Sequence, residues 1–571
     1  MKYLFSCLKT YRREAILAPL FKLLEASLEL VVPLIVALIV DRGIASGDRQ
    51  FIALMCLVLV GFGIVGLGFS ITAQYFAAKA AVGACKELRG KLFEKLQSFS
   101  YAQIDELGTS TMITRMTSDV NQVQSGVNMT LRLFLRSPFI VFGAMAMAFV
   151  VDVRVALVFV AVIPLLAVAV FAVMLACMPL YRKVQEKLDR VYLSVRENLA
   201  GVRVIRAFSK EKSEREEFDL RNDRLRSSQK KVGRIAALTS PITYILVNLA
   251  VIALLYLGGL RVDSGALGQG DVIALYNYLG QILIELIKLA NLIVTMTKAV
   301  SCQKRIGKVL DTEGEQDVLD PDAKEGDPQY AVSFEHVSLS YAGGGNALSD
   351  VTFAVKKGET VGILGGTGAG KSTLVNLIPR FYPATEGRVL LNGKDVNALS
   401  AVSLREKTVG IVPQKAVLFQ GTIRSNLLWG NESATDEELF RAVKIAQAED
   451  VVAAKGGLDG EVAQEGKNLS GGQRQRLTIA RALVKQPEIL ILDDSASALD
   501  YATDSKLRSA LNDLDCTVFI VSQRTASILH ADLILVLDQG KIVGKGTHKE
   551  LLADCEVYRE IYKTQFQEGA E

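Results

Sequence analysis

Six long apolar stretches constrain this chain more than anything else in it: roughly residues 15–40, 51–76, 130–151, 153–179, 236–260 and 270–298. Crossing the hydrocarbon core of a bilayer takes about 20 mostly apolar residues in a helix, and each stretch is long enough. Inside lipid a backbone must satisfy its own N–H and C=O groups, so such runs fold as helices and pack as a bundle. Connections near 41–50, around Asp152 and near 258–270 are short. Those near 77–129 and 180–235 are long and carry charges at helical spacing without turn signals, so they read as spanning helices continued into water. Lys79, Lys86, Arg89, Lys91 and Lys95 crowd the first long connection; Arg182, Lys183, Lys187, Arg190, Arg196, Arg203 and Arg206 crowd the second. That excess of basic residues puts the long connections and both termini on the cytoplasmic side of a plasma (inner) membrane. The opening Met1–Arg13 mixes basic and aromatic residues and is expected to lie amphipathically in the interface. The apolar run after it is too long for a cleaved signal peptide and has no small-residue cleavage site.

Polar features inside the stretches are few. Gly61, Gly63, Gly66 and Gly68 give the second stretch a small face suited to close helix contact. Glu25, Glu29, Glu285 and Lys288 are charges at membrane depth, where ionisable groups face a bundle interior or a wet cavity. Glu285 and Lys288 stand three residues apart, within reach of each other on a helix. A substrate cavity and structural pairing are both open readings for these groups.

Beyond about residue 300 the chain changes character. Residues 311–330 hold Asp311, Glu313, Glu315, Asp317, Asp320, Asp322, Glu325 and Asp327, broken by Pro321 and Pro328. This reads as an exposed acidic linker between a membrane domain, 1–310, and a soluble α/β domain, 331–571. In the latter, the apolar run Thr360–Leu364 leads into Gly365-Gly366-Thr367-Gly368-Ala369-Gly370-Lys371-Ser372-Thr373, and helix-like sequence follows. Strand, glycine loop and helix start in that order make a phosphate-binding loop. Glycines let backbone N–H groups converge on phosphate oxygens, Lys371 reaches the β/γ-phosphates, and the Ser372 hydroxyl holds Mg²⁺. A second buried strand, Ile489–Leu492, ends in Asp493 and Asp494, and a carboxylate there can share the Mg²⁺. ATP and Mg²⁺ are thus the expected cofactors. A net charge of +4 over 571 residues gives no footprint for nucleic acid. Seven scattered cysteines without a C-x-x-C and three dispersed histidines give neither a disulfide framework nor a metal cluster.

Further motifs carry a family resemblance. Leu469-Ser470-Gly471-Gly472-Gln473, upstream of the Asp-ended strand, resembles the signature motif of ATP-binding-cassette (ABC) transporters, here an exporter-type (type IV) half-transporter. Tyr341 matches the family's adenine-stacking aromatic, Gln414 the Q-loop glutamine that also reaches the metal, and Ser497–Asp500 the D-loop. In the membrane half, Glu197–Phe208 resembles the exporters' second intracellular loop and Thr109–Val120 the first; these loops carry short coupling helices. The resemblance spans the whole chain. It implies an all-α domain of six transmembrane helices with long cytoplasmic extensions, then an α/β P-loop nucleotide-binding domain. It also implies a dimer in which ATP is sandwiched between one chain's P-loop and the other's signature motif.

Two residues depart from the family pattern. The general base after the Walker B aspartate is normally Glu; here it is Asp494, one methylene shorter. The switch histidine is replaced by Gln523, which can donate a hydrogen bond but brings no charge. The paired departure resembles the degenerate-site subunit of bacterial heterodimeric multidrug exporters. It implies slow hydrolysis at this chain's own P-loop, with Ser470 completing a competent site on a non-identical partner that has the usual Glu and His. Amphipathic drugs or lipids are the expected cargo. Alternatives are a lipid or peptide exporter, a homodimer, or an ATP-gated channel or regulator on the same fold.

Overall fold

In the computed structural model, which describes residues 2–315, 326–341 and 344–567, the chain divides into two compact units. The first is Met1–Ser98 with Gly108–Glu313; the second is Phe99–Leu107 with Gly314–Glu571. Half of the expected acidic linker, residues 316–325, lies outside the described residues.

In chain order the helical part runs α1 (Lys2–Thr10), α2 (Arg12–Ile44), α3 (Arg49–Gln97), α4 (Tyr101–Leu107), α5 (Thr109–Val151), α6 (Val153–Ala200), α7 (Val202–Ala207), α8 (Glu211–Asp263) and α9 (Gln269–Asp311). Of these, α2, α3, α5, α6, α8 and α9 are long and apolar enough to cross a membrane. At about 1.5 Å per residue, α3 is roughly 70 Å long, more than twice a bilayer's hydrocarbon core, so the charged connections are indeed helix continued into water. The turns on the other side are tight because side chains cap the helix ends. Asp48 accepts from Gln50 N and Phe51 N at the start of α3, both at 3.0 Å. Asp152 accepts from Arg154 N and Val155 N at the start of α6 and pairs with Arg261 of α8 at 2.7 Å. Asp41 accepts from Gly270 N at 2.7 Å, and a side chain at Gly270 would meet Ala37 O at 2.3 Å, so only glycine lets α9 approach α2 there.

The bundle core combines apolar packing (Phe159, Leu254, Tyr278) with a buried charge network. Glu285 is 2 % exposed and accepts from Arg136 Nη1 at 2.6 Å, Ser137 Oγ at 2.7 Å and Lys288 Nζ at 2.7 Å. The expected Glu285–Lys288 pair therefore forms, but the centre of the network is Arg136, whose other nitrogen, Nη2, reaches Glu29 at 2.6 Å. Arg136 stands in an apolar stretch one turn after Arg132, and no pattern marks it as the centre of a network. Breaking a buried ion pair from one side leaves an uncompensated charge and costs about 3–5 kcal/mol. Arg136→Ala is therefore expected to lower the thermal midpoint sharply in a detergent melt, whereas Arg136→Ala with Glu285→Gln recovers much of the loss.

Two expectations about this unit change. Gly61, Gly63, Gly66 and Gly68 of α3 support no close contact among the described residues: a Cβ at any of the four would meet nothing within 4 Å. The opening segment is pinned to the bundle as well as being amphipathic. Leu4 and Cys7 are buried, Tyr3 Oη donates to Asp311 at 2.6 Å, and Lys91 Nζ donates to Ser6 Oγ at 3.4 Å.

The second unit is built on two large sheets, with a two-stranded ribbon, Gly421–Thr422 against Glu461–Val462, beside them. Strands β1 (Tyr330–Ser340), β2 (Asn346–Lys356), β4 (Glu386–Leu391) and β5 (Lys394–Asp395) form an antiparallel sheet in the order β2-β1-β4-β5. Strands β3 (Thr360–Gly365), β6 (Val409–Val412), β7 (Ile489–Asp493), β8 (Thr517–Val521), β9 (Leu533–Asp538) and β10 (Lys541–Gly546) form the other, in the order β10-β9-β3-β8-β7-β6. All of its pairings are parallel except β9 with β10. β7 and β8 are buried along their whole length, as their unbroken apolar runs require of strands covered on both faces. In open parallel sheets ligands bind outside the carboxyl ends of the strands.

Candidate active site

Register brings the sequence motifs to one edge. Val521 of β8 pairs with Ile363 of β3 on one side and Asp493 of β7 on the other, so the glycine loop, the twin aspartates and the Ser522-Gln523 turn all leave the sheet together. The loop's shape depends on its glycines. Gly368 and Gly370 have φ of +81° and +97°, and a Cβ at Gly370 would meet Ala347 O at 2.8 Å. Gly366 has open space around it, so a ligand can come close to the backbone. The helix Lys371–Leu377 begins directly after, adding its N-terminal N–H groups.

Lys371 is buried and its Nζ donates to Gly365 O and Gly366 O, both at 2.8 Å. Burial pulls its pKa below the ordinary lysine range, against the charges of Asp494 and Asp493. Ser372 Oγ donates to Asp493 Oδ1 at 3.0 Å. Burial pushes the Asp493 carboxyl above its usual range, and the charge of Asp494 adds to that, opposed by the Ser372 hydrogen bond and Lys371. Hard oxygen donors side by side, with carboxylates under mutual strain, are a donor set that suits Mg²⁺. Ser372, Asp493 and Gln414 would hold that ion, which would supply charge neutralisation for phosphate oxygens.

Gln414 Nε2 lies 3.4 Å from Asp494 Oδ2, so Q-loop and catalytic position meet. Asp494 sits in the left-handed region at φ +46°, its N–H bonded to Val521 O at 3.0 Å. Aspartate enters that region more readily than most residues. Gln523 is exposed, and its backbone carbonyl accepts from Gln565 Nε2 at 2.7 Å. The Gln565 side chain also accepts from Thr525 N at 2.8 Å, so the C-terminal helix fixes the switch turn, a feature with no sequence signal.

Leu469–Gln473 lies on the far side of Gln414, and Gly471 lines the same pocket as Gln414. Ser470 caps the helix Gly471–Val484, and Ser470 N donates to Gln473 Oε1 at 2.9 Å in a capping box. A Cβ at Gly472 would meet Ala498 O at 3.0 Å, which ties the motif to the D-loop, and Asp500 caps the next helix by accepting from Thr503 N at 2.9 Å. Among the described residues no hydrogen bond joins 469–473 to 365–373.

Residues 15–286 match the ABC transporter transmembrane region and residues 348–497 the ABC transporter domain. An ABC transporter ATP-binding protein of Bacillus subtilis, YfiB, is 37% identical over 578 residues, covering 100% of each chain. The chain belongs to the ABC transporter family. Another B. subtilis relative, the ATP-binding/permease protein YgaD, whose name assigns it to multidrug export, is 31% identical over 99% of both chains. The ATP-dependent lipid A-core flippase of Albidiferax ferrireducens is 30% identical over 98% of this chain and 97% of its own. A bacterial Atm1-family ABC exporter, solved with ATP bound, superposes with a TM-score of 0.81 at 26% identity, covering 98% of this chain and 99% of that one. This ABC transporter is thus a multi-pass membrane protein of exporter fold, an ATPase coupled to transport, with its nucleotide-binding domain in the cytoplasm.

In this transporter a short helix, α4, stands just before Thr109–Val120, the segment that resembles the first intracellular loop and that opens the long helix α5. α4 is counted into the nucleotide unit for a physical reason. Tyr101 stacks on Phe381 with centroids 4.1 Å apart, and Asp105 accepts from Tyr382 Oη. Burial and the Asp105 carboxylate together hold the Tyr382 phenol far above its usual pKa. Tyr382 in turn packs edge-on against Tyr341 at 5.1 Å, and Tyr341 Oη donates to Thr373 Oγ1 of the P-loop at 3.2 Å. Tyr382 therefore touches both Tyr341 and the helix α4. Coupling residues of this kind are worth about 0.5–2 kcal/mol. Tyr382→Ala is expected to leave ATP binding nearly unchanged while reducing transport per ATP hydrolysed several-fold, read by parallel phosphate-release and uptake assays in vesicles.

Proposed function

We propose that this transporter works as one half of a heterodimeric exporter of amphipathic drugs or lipids, its own ATP site holding nucleotide and hydrolysing it slowly. The observation that carries the reading is the asymmetry between its two half-sites. At the P-loop, Asp494 and Gln523 stand where the base and the switch histidine are expected. At the signature helix, Ser470, Gly471 and Gly472 keep their consensus identities and a well-formed cap. A homodimer would have two poor sites, whereas pairing with a chain carrying Glu and His gives one poor site and one good one. The names of the relatives, multidrug export and lipid A-core flipping, support an amphipathic cargo. ATP-driven closing and opening of the nucleotide domains would switch the cavity between two faces of the membrane by alternating access. The test is to purify the tagged chain gently from the membranes of its natural host and weigh the intact complex. A one-to-one complex with a second half-transporter that has Glu and His at the two positions is expected; a complex of two copies of this chain contradicts the proposal.

A further inference from the structure

A groove of ≈ 480 Å³ runs between α2 and α3 within the membrane-spanning part of the bundle, a size suited to a small organic ligand. Its walls are apolar, including Leu59 and Phe62, and Gly63 and Gly66 keep it open because nothing lies within 4 Å of where their Cβ atoms would be. Its polar floor is made by Glu25, Glu29, Ser70 and Arg136. Glu25 and Glu29 lie one helical turn apart, and each uses only one oxygen internally. Lys22 Nζ bonds Glu25 Oε2 at 2.5 Å and Ser70 Oγ at 3.1 Å, and Arg136 Nη2 bonds Glu29 Oε2 at 2.6 Å. The second oxygen of each glutamate has no hydrogen bond among the described residues. Glu29 keeps 40% of its side chain exposed, although it stands at membrane depth. Arg136 is 93% buried by contrast (7% exposed), and its Nε–H is a buried donor without a partner. An unmade hydrogen bond at such depth is costly, and a ligand that supplies it gains specificity.

We propose that this groove is a binding site for an amphiphile carrying a protonated amine beside a hydrogen-bond acceptor. The amine sits on the free oxygens of Glu29 and Glu25, the acceptor takes the Arg136 Nε–H, and the apolar body lies over the shelf at Gly63 and Gly66. An anionic head is disfavoured, since two carboxylates line the same wall and the arginine's charge is already shared by Glu29 and Glu285. The assignment rests on the exporter reading and narrows its cargo to cationic amphiphiles.

Propranolol, an amino-alcohol on a naphthalene body, and naproxen, a carboxylate on a similar body, are fluorescent probes of opposite charge. Equilibrium dialysis against the full chain in nanodiscs of neutral lipid, corrected with empty nanodiscs, reads their binding. Propranolol should bind above the lipid background and naproxen should not. Glu29→Gln should weaken propranolol binding about tenfold, the scale of a desolvated charge contact. Glu29 is tied to Arg136, so Gly66→Leu serves as a second variant: it fills the groove with a better helix former and touches no charge. It should abolish the excess binding while the melting curve stays at the wild-type position. Equal binding of both probes, or full propranolol binding in Gly66→Leu, overturns the proposal. Vesicle uptake separates the two readings: amphiphile export that persists in Gly66→Leu refutes the groove and keeps the exporter, whereas probe binding without export by the paired complex does the reverse.

Discussion

Replacing Asp494 with Glu and Gln523 with His together raises ATP hydrolysis at this chain's own site by roughly 10²-fold or more, since a well-placed general base contributes about 10²–10⁴ in rate. The carboxylate of Asp494 is already at the end of β7 and meets Gln414 at 3.4 Å, so under the proposed function it is reach rather than location that limits it. Glutamate adds the missing methylene. It also has to accept a backbone at φ +46°, and a non-glycine residue in a sparsely populated region costs about 1–3 kcal/mol. The single Asp494→Glu change is therefore expected to recover less than the pair. Histidine at 523 adds a γ-phosphate contact on a turn that Gln565 already holds, so little reordering is needed there. The readout is phosphate release from the purified chain at saturating Mg-ATP. No gain from the double variant would show that these two positions do not limit the site.

The second large effect is expected on the other half-site. Ser470→Arg puts a long cationic side chain where a serine caps a helix, removing the hydroxyl that bonds Gln473 N at 3.3 Å. Loss of the cap alone costs about 1 kcal/mol, which a folded domain tolerates. For a partner's bound nucleotide the change is far more serious, because preorganised donors aimed at developing phosphate charge contribute about 10²–10³ in rate each. The complex with its partner should thus lose about 10²-fold or more of its ATPase, while binding of ATP to this chain's own P-loop is unchanged. If the opposite holds, and Lys371→Ala is the more damaging of the two variants to turnover, the roles of the half-sites are reversed.

Much of this was legible in the sequence because the features are local. A run of about 20 apolar residues has one way to cross a bilayer. A strand, a glycine loop and a helix start carry their ligand chemistry in consecutive residues, and Asp493 reached Ser372 as that chemistry requires. What the sequence hid is what depends on distant partners. Arg136 is one of two basic residues in its apolar stretch, and its role emerges only because Glu29 and Glu285, on other helices, close around it. Gly61, Gly63, Gly66 and Gly68 of α3 suggested helix packing by their spacing, yet whether a neighbour fills the small face is a tertiary fact, and among the described residues none does. Likewise α4 is too short to show a period. Its place follows from Tyr101 meeting Phe381 some 280 residues later, a contact with no local signature.

The account turns on a site that holds ATP without consuming it. The measurement that tests it most directly is to load the purified chain, without partner, with radiolabelled Mg-ATP and follow bound ATP and released phosphate together. Stoichiometric ATP that stays intact over many minutes, and that Lys371→Ala fails to retain, is the predicted result. Rapid multiple turnover by the chain alone would contradict it.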